Sequence, residues 1–293
     1  PEFVHFQQEM DTIFDQWKTE SIAKLKALDT GSKPKEIIAE LAHRLLASYD
    51  DRDLIDKYDI YQYLMIYWNE AMQDDCYIIS FDGWVAKTHR VIEIKKKKEV
   101  DKGWDCDLVP KDLVIARYFT EEKNALNSFE EEKERIETQL TEMEEEHSGE
   151  DGCFSDLDKV NKGNINARLK ELKTEDDVEN DIEIFTAYLN LMDNLAKSKK
   201  SIKTATAELD EKLYAKYPEL TPDEVKTLVV VDKWMATLEN DISNEIDQIS
   251  QKLSNRIKEL AERYENTLPE LDTQVEALEQ KVDDHLKKMG FEW

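Results

Sequence analysis

Residues 126–143 read LNSFEEEKERIETQLTEM, a run in which hydrophobic side chains recur alternately three and four positions apart. The series consists of Leu126, Phe129, Ile136, Leu140 and Met143, with Lys133 as one polar interruption. This spacing is typical of the seam of a coiled coil. Because residues 111–146 contain neither glycine nor proline, an uninterrupted helix of about 50 Å fits here at 1.5 Å per residue.

A matching seam lies further along the chain, in residues 174–216. Its hydrophobic positions are Val178, Ile182, Phe185, Leu189 and Met192, followed by Ile202, Ala205 and Leu209. Two long helices joined by a segment rich in turn residues predict an antiparallel coiled-coil hairpin over residues 111–217. We expect residues 154–173 to form its tip.

The rest of the sequence also has the pattern of helices. It contains only seven glycines and six prolines, about a third of the usual share, which disfavours sheets and turns. Amphipathic spacing predicts helices over residues 3–28, 34–48, 56–73, 240–264 and 271–286. Thr221, Pro222 and Glu224 have the pattern of a helix start, with Thr221 as the N-cap.

One segment has the composition of strands. Residues 76–79 (CYII) and 91–94 (VIEI) flank a turn at Asp82 and Gly83, which predicts a β-hairpin and a third short strand near Leu108. The predicted fold is therefore mainly α: a long-helix antiparallel coiled-coil hairpin plus a helical bundle, with a small β-hairpin module near residues 76–109. The predicted domains are a helical subdomain with the β module (1–110), the long hairpin (111–217) and carboxy-terminal helices for subunit assembly (218–293).

The chain is strongly acidic, with 40 Lys and Arg against 67 Asp and Glu and a formal net charge of −27. This charge opposes non-specific nucleic-acid binding, because phosphates are repelled. No stretch approaches the roughly 18 apolar residues of a membrane helix, and no signal-peptide pattern occurs. Three scattered cysteines form no disulfide framework, so we expect a reducing, cytoplasmic location. The chain begins at Pro1, which leads us to expect a fragment of a longer protein.

Catalytic and cofactor motifs do not occur in the sequence. It has no G-x-G turn, no Walker loop and no Pro-Pro pair, whereas nucleotide and methyl-donor sites need glycine for close backbone approach. Cys76, Cys106 and His89 are candidate zinc ligands, but they lack the paired spacing of C-x-x-C sites. We therefore expect no catalytic, cofactor-binding or metal-binding residue in this chain.

A basic cluster near the predicted tip contains Lys159, Lys162 and Arg168, and further clusters occupy residues 95–98 and 197–203. Such clusters are usually solvated faces that pair with neighbouring acids. The alternative is contact with the DNA backbone, which suits the asparagines interspersed among the cations of the tip.

The two carboxy-terminal helices carry the other candidate site, because each has one continuous apolar face. These positions are Ile242, Ile246, Ile249, Leu253, Ile257, Leu260, Leu271, Val275, Leu278, Val282 and Leu286. Either the stripes pack within this chain, or they offer an apolar face to partner helices. A two-helix hairpin buries only one face of each helix, and a broad stripe usually needs more helices.

Longer motifs lie along nearly the whole chain. They read DDCY (74–77), DGWVA (82–86), KGW (102–104), CDLVPK (106–111), ARYF (116–119), DKVNK (158–162), NARLKE (166–171), YAKYP (214–218), KTLVV (226–230), DKW (232–234), LAERY (260–264) and HLKKMG (285–290). Together they resemble the carboxy-terminal part of the modification (M) subunit of a bacterial type I restriction-modification system, in its longer variety.

The resemblance implies a parent protein that is a DNA adenine N6-methyltransferase using S-adenosylmethionine. The catalytic domain of the family lies amino-terminal, with a glycine-rich donor loop and an Asn-Pro-Pro-aromatic motif. Neither motif occurs here, so no catalytic residue is carried over and S-adenosylmethionine is expected only in the missing domain.

The resemblance also implies partners. In the family, two M subunits join one specificity (S) subunit, and a restriction (R) subunit completes the complex on DNA. The carboxy-terminal helices of the family pack against helical regions of the S subunit, which predicts the same role for the two apolar stripes. Without the resemblance, the sequence fits a free-standing acidic coiled-coil adaptor, or a DNA mimic that presents residues 130–146 to basic DNA-binding proteins.

Overall fold

The computed structural model describes residues 2–52, 54–95, 98–149, 152–155, 157, 159–172, 179–265 and 268–291. The structure is 79% helical with one small two-stranded antiparallel sheet in its described part, which confirms the mainly α class. The predicted Val178 of the return seam lies outside the described residues.

The elements follow one another in a simple order. They are α1 (Glu2–Lys26), α2 (Pro34–Ser48), α3 (Lys57–Tyr67), a π-helical turn (Trp68–Met72), α4 (Gln73–Asp82), β1 (His89–Lys95), β2 (Lys98–Asp105), α5 (Lys111–Tyr118), α6 (Thr120–His147), α7 (Lys162–Leu172), α8 (Glu179–Lys216), a 3-10 turn (Tyr217–Glu219), α9 (Pro222–Lys226), a π-helical segment (Thr227–Met235), α10 (Ala236–Arg263) and α11 (Leu268–Lys288).

The chain divides into two compact units. Unit 1 comprises Pro1–Phe81 and Lys233–Trp293, and unit 2 comprises Asp82–Asp232. This division differs from the three consecutive segments predicted from the sequence, because α10 returns to pack on α1 and α3. A contact between segments that lie far apart in the chain cannot be predicted from local sequence composition.

Unit 1 is a helical bundle with an aromatic core. Trp17 of α1 is buried and its indole N–H donates to the carbonyl of Leu41 in α2 at 3.2 Å. The one buried carboxylate of this core among the described residues is Asp75, which accepts from Lys233 Nζ and from the indole of Trp234, both at 2.7 Å. Burial raises the pKa of Asp75, against the opposing charge of Lys233.

Unit 2 contains the predicted antiparallel hairpin, formed by α6 and α8. Polar contacts show its direction: Glu122 pairs with Lys212 at 2.9 Å, and Glu137 pairs with Lys199 at 3.0 Å. Residue numbers rise along α6 while they fall along α8, so the two arms run in opposite directions. The prediction of one helix over residues 111–146 is wrong in one detail, because the backbone breaks at Phe119, between α5 and α6.

The far end of the hairpin is closed by its own tip. Phe154 and α7 fold back on the arms and form a separate hydrophobic cluster of buried residues. Its members are Ile136, Leu140, Phe154, Ile165, Leu172, Phe185 and Tyr188. The tip therefore covers the apolar seam between α6 and α8 at this end of the hairpin.

A small β-hairpin is confirmed, but it is formed by β1 and β2, so the predicted first strand at 76–79 and the predicted hairpin turn at Asp82 and Gly83 are wrong. Residues 76–79 belong to α4, and with Met72 of the preceding π-helical turn the buried residues Cys76 and Ile79 recur at intervals of four and three, the period of a helix. A run of four apolar residues fits either period, so local sequence cannot decide between them. β1 pairs with β2, and Leu108 lies in the bend that follows rather than in a third strand.

Candidate partner-binding surface

The apolar stripe of α10 divides into two halves. In the inner half, Leu238, Ile242 and Ile246 are at most 2% exposed, and the last two line a groove with Phe14 of α1. The binding role predicted for Ile242 and Ile246 needs correction, because both side chains already form part of the core of unit 1. Ile249 and Leu253 follow as half-buried residues at the edge of this core.

The apolar face of the outer half of α10 is exposed to solvent. Ile257 is 52% exposed and Leu260 is 36% exposed. Both continue the face that is buried further back, since Ile246, Ile249, Leu253, Ile257 and Leu260 recur at helical intervals. The helix therefore extends past the end of the core that covers it.

The apolar face of α11 is exposed to solvent in the same way. None of its described residues is buried, and Leu271, Val275, Leu278 and Val282 are between 41% and 59% exposed, with Leu286 half-buried. We call Ile257, Leu260, Leu271, Val275, Leu278 and Val282 the terminal stripe. Because most helical stability in proteins comes from packing of an amphipathic face, this exposed apolar face is the candidate binding surface.

Charges flank the stripe on α11. From residue 270 to residue 284 the helix carries six carboxylates and one lysine: Glu270, Asp272, Glu276, Glu279, Lys281, Asp283 and Asp284. Its last turn carries His285, Lys287 and Lys288, which complements the negative end of the helix dipole. A covering helix with basic residues beside its own apolar positions would match most of this face.

The predicted DNA-contact residues lie at the tip of unit 2. Lys162 pairs with Asp193 of α8, and Arg168 lies 3.3 Å from Glu171 on its own helix. Lys159 is exposed in the turn before α7, where its carbonyl accepts the side-chain amide of Asn164 at 2.9 Å. The asparagines thus order the turn, and DNA contact by these three residues stays a prediction.

The candidate zinc ligands have ordinary surroundings. Burial raises the pKa of the Cys76 thiol to about 12, and burial likewise raises the pKa of Cys106. His89 Nδ1 lies 3.7 Å from an oxygen of Asp107. Within the described ranges, no group of three or more His, Cys, Asp or Glu side chains could hold a metal ion.

Two exposed isoleucines of the β-hairpin lie in the predicted strand 91–94 and are not among the predicted site residues. Ile92 and Ile94 are 58% and 73% exposed. The sequence signal for their exposure is the alternation of isoleucine with charged residues, in a strand that pairs with one neighbour only.

Comparison with known proteins adds nothing to these observations, since no family model, curated protein or solved structure matches the chain. In the part of the chain that the structure describes, no helix combines the length and apolar character needed to cross a membrane.

Proposed function

We propose that this chain is the non-catalytic carboxy-terminal part of an M subunit of a type I restriction-modification system, and that the terminal stripe docks onto helices of the S subunit. The observation that carries the proposal is the exposed heptad-like stripe on the outer half of α10 and on α11. The sequence motifs that resemble this family give the identity of the partner.

The energetics favour such a docking. Complete burial of a Leu, Ile or Val side chain contributes roughly 1.5–3 kcal/mol. The side chains of the terminal stripe are still about half exposed, so each gains roughly 1 kcal/mol when a partner covers it. Six such contacts contribute roughly 6 kcal/mol, which only matches the lower estimates of the entropic cost of association, so a stable interface also needs the half-buried neighbours and polar contacts with the partner.

The remaining parts of the proposal follow from the resemblance. The missing amino-terminal domain would bind S-adenosylmethionine and methylate adenine at N6, and the full assembly would include a second M subunit and the R subunit in the cytoplasm. Lys159, Lys162 and Arg168 would help hold the DNA backbone in that assembly.

Size-exclusion chromatography with light scattering tests the docking. The chain mixed with its cognate S subunit should elute as a complex with two copies of the chain per S subunit. The double variant Val275→Asp with Leu278→Asp should abolish the complex, since two carboxylates would be buried without partners.

A matched control uses the opposite face of α11. Thr273→Asp with Gln280→Asp introduces the same charges on exposed positions of the same helix and should leave the complex intact. Circular dichroism should show equal helicity for both double variants. If the wild-type chain forms no complex, or if the two double variants bind alike, docking through the terminal stripe is wrong.

One alternative has structural support of its own. Val275 and Val282 alternate with Leu271 and Leu278, a pattern that favours two-stranded coiled coils between copies of one helix. An adaptor of this kind would appear as a dimer in light scattering of the chain alone. A DNA mimic would instead bind a basic DNA-binding protein through the acidic face of α6, with strong dependence on salt.

A further inference from the structure

β1 has one free edge. Its seven residues, His89–Lys95, pair with β2, and within the described ranges the sheet consists of these two strands. Along the other edge of β1, backbone N–H and C=O groups point away from β2 without a described strand to pair with. A two-stranded sheet is marginally stable in water, and a third strand adds hydrogen bonds and side-chain contacts. This edge is therefore a place where another strand can be added.

Two isoleucines in the second half of this strand are exposed to solvent. Ile92 and Ile94 are 58% and 73% exposed. In the register of the hairpin they lie opposite Asp101 and Glu99, so β2 offers them carboxylates rather than apolar contact. A strand added at the free edge of β1 can supply that contact, because its side chains alternate onto the same face.

The start of β1 is held firmly in place. It pairs through Arg90 with Trp104 of β2, which is 5% exposed and donates its indole N–H to Asp210 of α8 at 3.1 Å. Lys111 Nζ lies 3.8 Å from the centre of the indole ring, and Tyr217 meets the ring edge-on with centres 5.0 Å apart. A strand that is already held in its paired geometry loses less conformational entropy when it binds.

A second copy of β1 matches the free edge. Antiparallel pairing about Ile92, the middle residue of the strand, places each residue of β1 opposite one residue of the other copy. The two Ile92 side chains then face each other, and each Ile94 lies diagonal to the Ile92 of the other copy on the same face. Pairing about Glu93 would set two like charges opposite each other. Pairing about Val91 or Ile94 would leave part of the strand unpaired.

Arg90 completes this face of the paired strands. In the pairing about Ile92 it lies opposite Ile94 of the second copy, whose neighbour on β2 is Glu99. Two strand spacings, roughly 10 Å, separate Arg90 from that Glu99, and the two long side chains can span this distance over the isoleucine. The ion pair of Arg90 with Asp101 is half exposed on both sides and hence weak, so the guanidinium can exchange it for Glu99.

The opposite face of the paired strands also suits this register. Each Glu93 lies opposite Val91 of the other copy, and each Lys95 lies opposite His89. Because His89 Nδ1 lies 3.7 Å from an oxygen of Asp107, Lys95 meets a position that has a carboxylate beside it. The strand is therefore complementary to itself in its apolar contacts and in its charges.

We propose that two copies of this chain associate through antiparallel pairing of their β1 strands about Ile92. The product is a four-stranded sheet in the order β2–β1–β1–β2, with four isoleucines continuous on one face. One short strand from each copy is a small contact, so the pairing is weak on its own and depends on concentration. The inference goes beyond the proposed function, since it needs no S subunit. In an assembly that holds two copies, the raised effective concentration would strengthen the same contact.

Disulfide trapping of the full chain tests the register. Ile92→Cys and Ile94→Cys are made together with Cys153→Ser, because Cys153 is half-buried and the other two cysteines are buried. In the paired strands the Cα atoms of the two positions 92 lie about 4.5–5.5 Å apart, within the reach of a disulfide. The two positions 94 are offset by four residues and lie roughly 14 Å apart. With diamide as the oxidant we expect at least about fivefold more cross-linked dimer from position 92, although Ile94 is the more exposed side chain.

A mixed cross-link checks the same register without a change at Ile92. Arg90 and Ile94 of different copies lie opposite each other in the paired strands. Arg90→Cys mixed with Ile94→Cys, both with Cys153→Ser, should therefore form cross-linked heterodimers, whereas each variant alone should form few. This measurement keeps the test decisive if Ile92→Cys does not fold.

Sedimentation equilibrium measures the association without a cross-link. Ile92→Lys would set two lysines opposite each other and should raise the dissociation constant of the dimer at least about tenfold. The matched variant Ile66→Lys, at a 44% exposed isoleucine of α3, should leave the dissociation constant unchanged. Val275→Asp with Leu278→Asp should also leave it unchanged, which separates this dimer from one formed by α11.

Several outcomes would overturn the pairing. Equal cross-linking at positions 92 and 94, a wild-type chain that stays monomeric up to about 300 μM, or equal dissociation constants for Ile92→Lys and the wild type would each exclude it. Loss of the dimer in the α11 double variant would assign the association to the terminal stripe. The S subunit is absent from every assay, so failure of the docking proposed above leaves these results unaffected.

Discussion

Two pairs of long helices in this chain carry similar apolar stripes and have different surroundings. Along α6 and α8 most of the stripe is at least half-buried, with Phe129 as an exposed exception, and at its far end Ile136, Leu140 and Phe185 are buried in a cluster with residues of the tip. Along the outer half of α10 and α11 the stripe is open, although its spacing is at least as regular. Ile136 of the first pair is 2% exposed, whereas Ile257 of the second is 52% exposed.

The difference shows what hydrophobic spacing specifies. A 3-4 pattern places side chains on one face of a helix, but it contains no information about what covers that face. In unit 2 the covering segment follows directly in sequence, between the two arms. In α11 no described segment of unit 1 covers the face. The terminal stripe is therefore the part of the pattern that remains exposed among the described residues.

The largest expected effect comes from comparing an aspartate in the buried inner half of α10 with an aspartate in the exposed stripe of α11. Ile246→Asp should lower the free energy of unfolding of unit 1 by about 4 kcal/mol, because it buries an unpaired carboxylate. The loss is increased by Asp11 and Asp15, which line the same groove; burial and neighbouring carboxylates already raise the pKa of Asp11. Leu278→Asp, in the open stripe, should change stability by less than about 0.5 kcal/mol.

Urea unfolding followed by tryptophan fluorescence measures both variants, since Trp17 and Trp234 are buried in unit 1. Similar unfolding midpoints for Ile246→Asp and the wild type would mean that the inner half of α10 is not core. A large loss for Leu278→Asp would mean that α11 is covered within the chain, which would also remove the basis for docking.

Local signals predicted much of this fold, and long-range contacts could not be predicted. Thr221 caps its helix as expected, accepting from the backbone N–H of Glu224 at 3.3 Å, because a capping box needs only four consecutive residues. By contrast, Lys233 lies 158 positions from Asp75. The burial of Ile242 and Ile246 depends on α1, and the helical state of residues 76–79 depends on the core beneath them.

Two matched isoleucine substitutions test the difference between the covered and the exposed stripe, with a smaller expected loss of stability. Ile136→Ala removes the same atoms from the covered stripe that Ile257→Ala removes from the open one. The first should cost about 3 kcal/mol, because it leaves a cavity among residues of the tip cluster. The second should cost under about 1 kcal/mol, mostly through helix packing at the surface.

Thermal unfolding of the two variants by circular dichroism decides this point. The binding assay gives the reverse order if the terminal stripe docks: Ile257→Ala should weaken the complex with the S subunit, and Ile136→Ala should not. Equal losses of stability at both positions would contradict the distinction between a covered and an open stripe.

The smallest expected effect concerns the ion pairs between α6 and α8, whose contribution to stability depends on pH. A hydrogen bond from Lys199, with the charge of Lys133, lowers the pKa of Glu137 below its ordinary value of 4.5, and Lys212 similarly lowers the pKa of Glu122. A carboxyl group whose pKa is lowered by folding stabilises the folded state above its unfolded pKa, and this contribution is lost as the pH falls through the folded pKa. Between about pH 6 and about pH 3 the melting temperature of the hairpin should therefore fall less in Glu137→Gln than in the wild type. Lys199→Gln should reduce this pH dependence in the same way, since it removes the donor that lowers the pKa. Parallel curves for all three proteins would show that the arms are held by the apolar stripe and the tip alone, with no contribution from their charged edges.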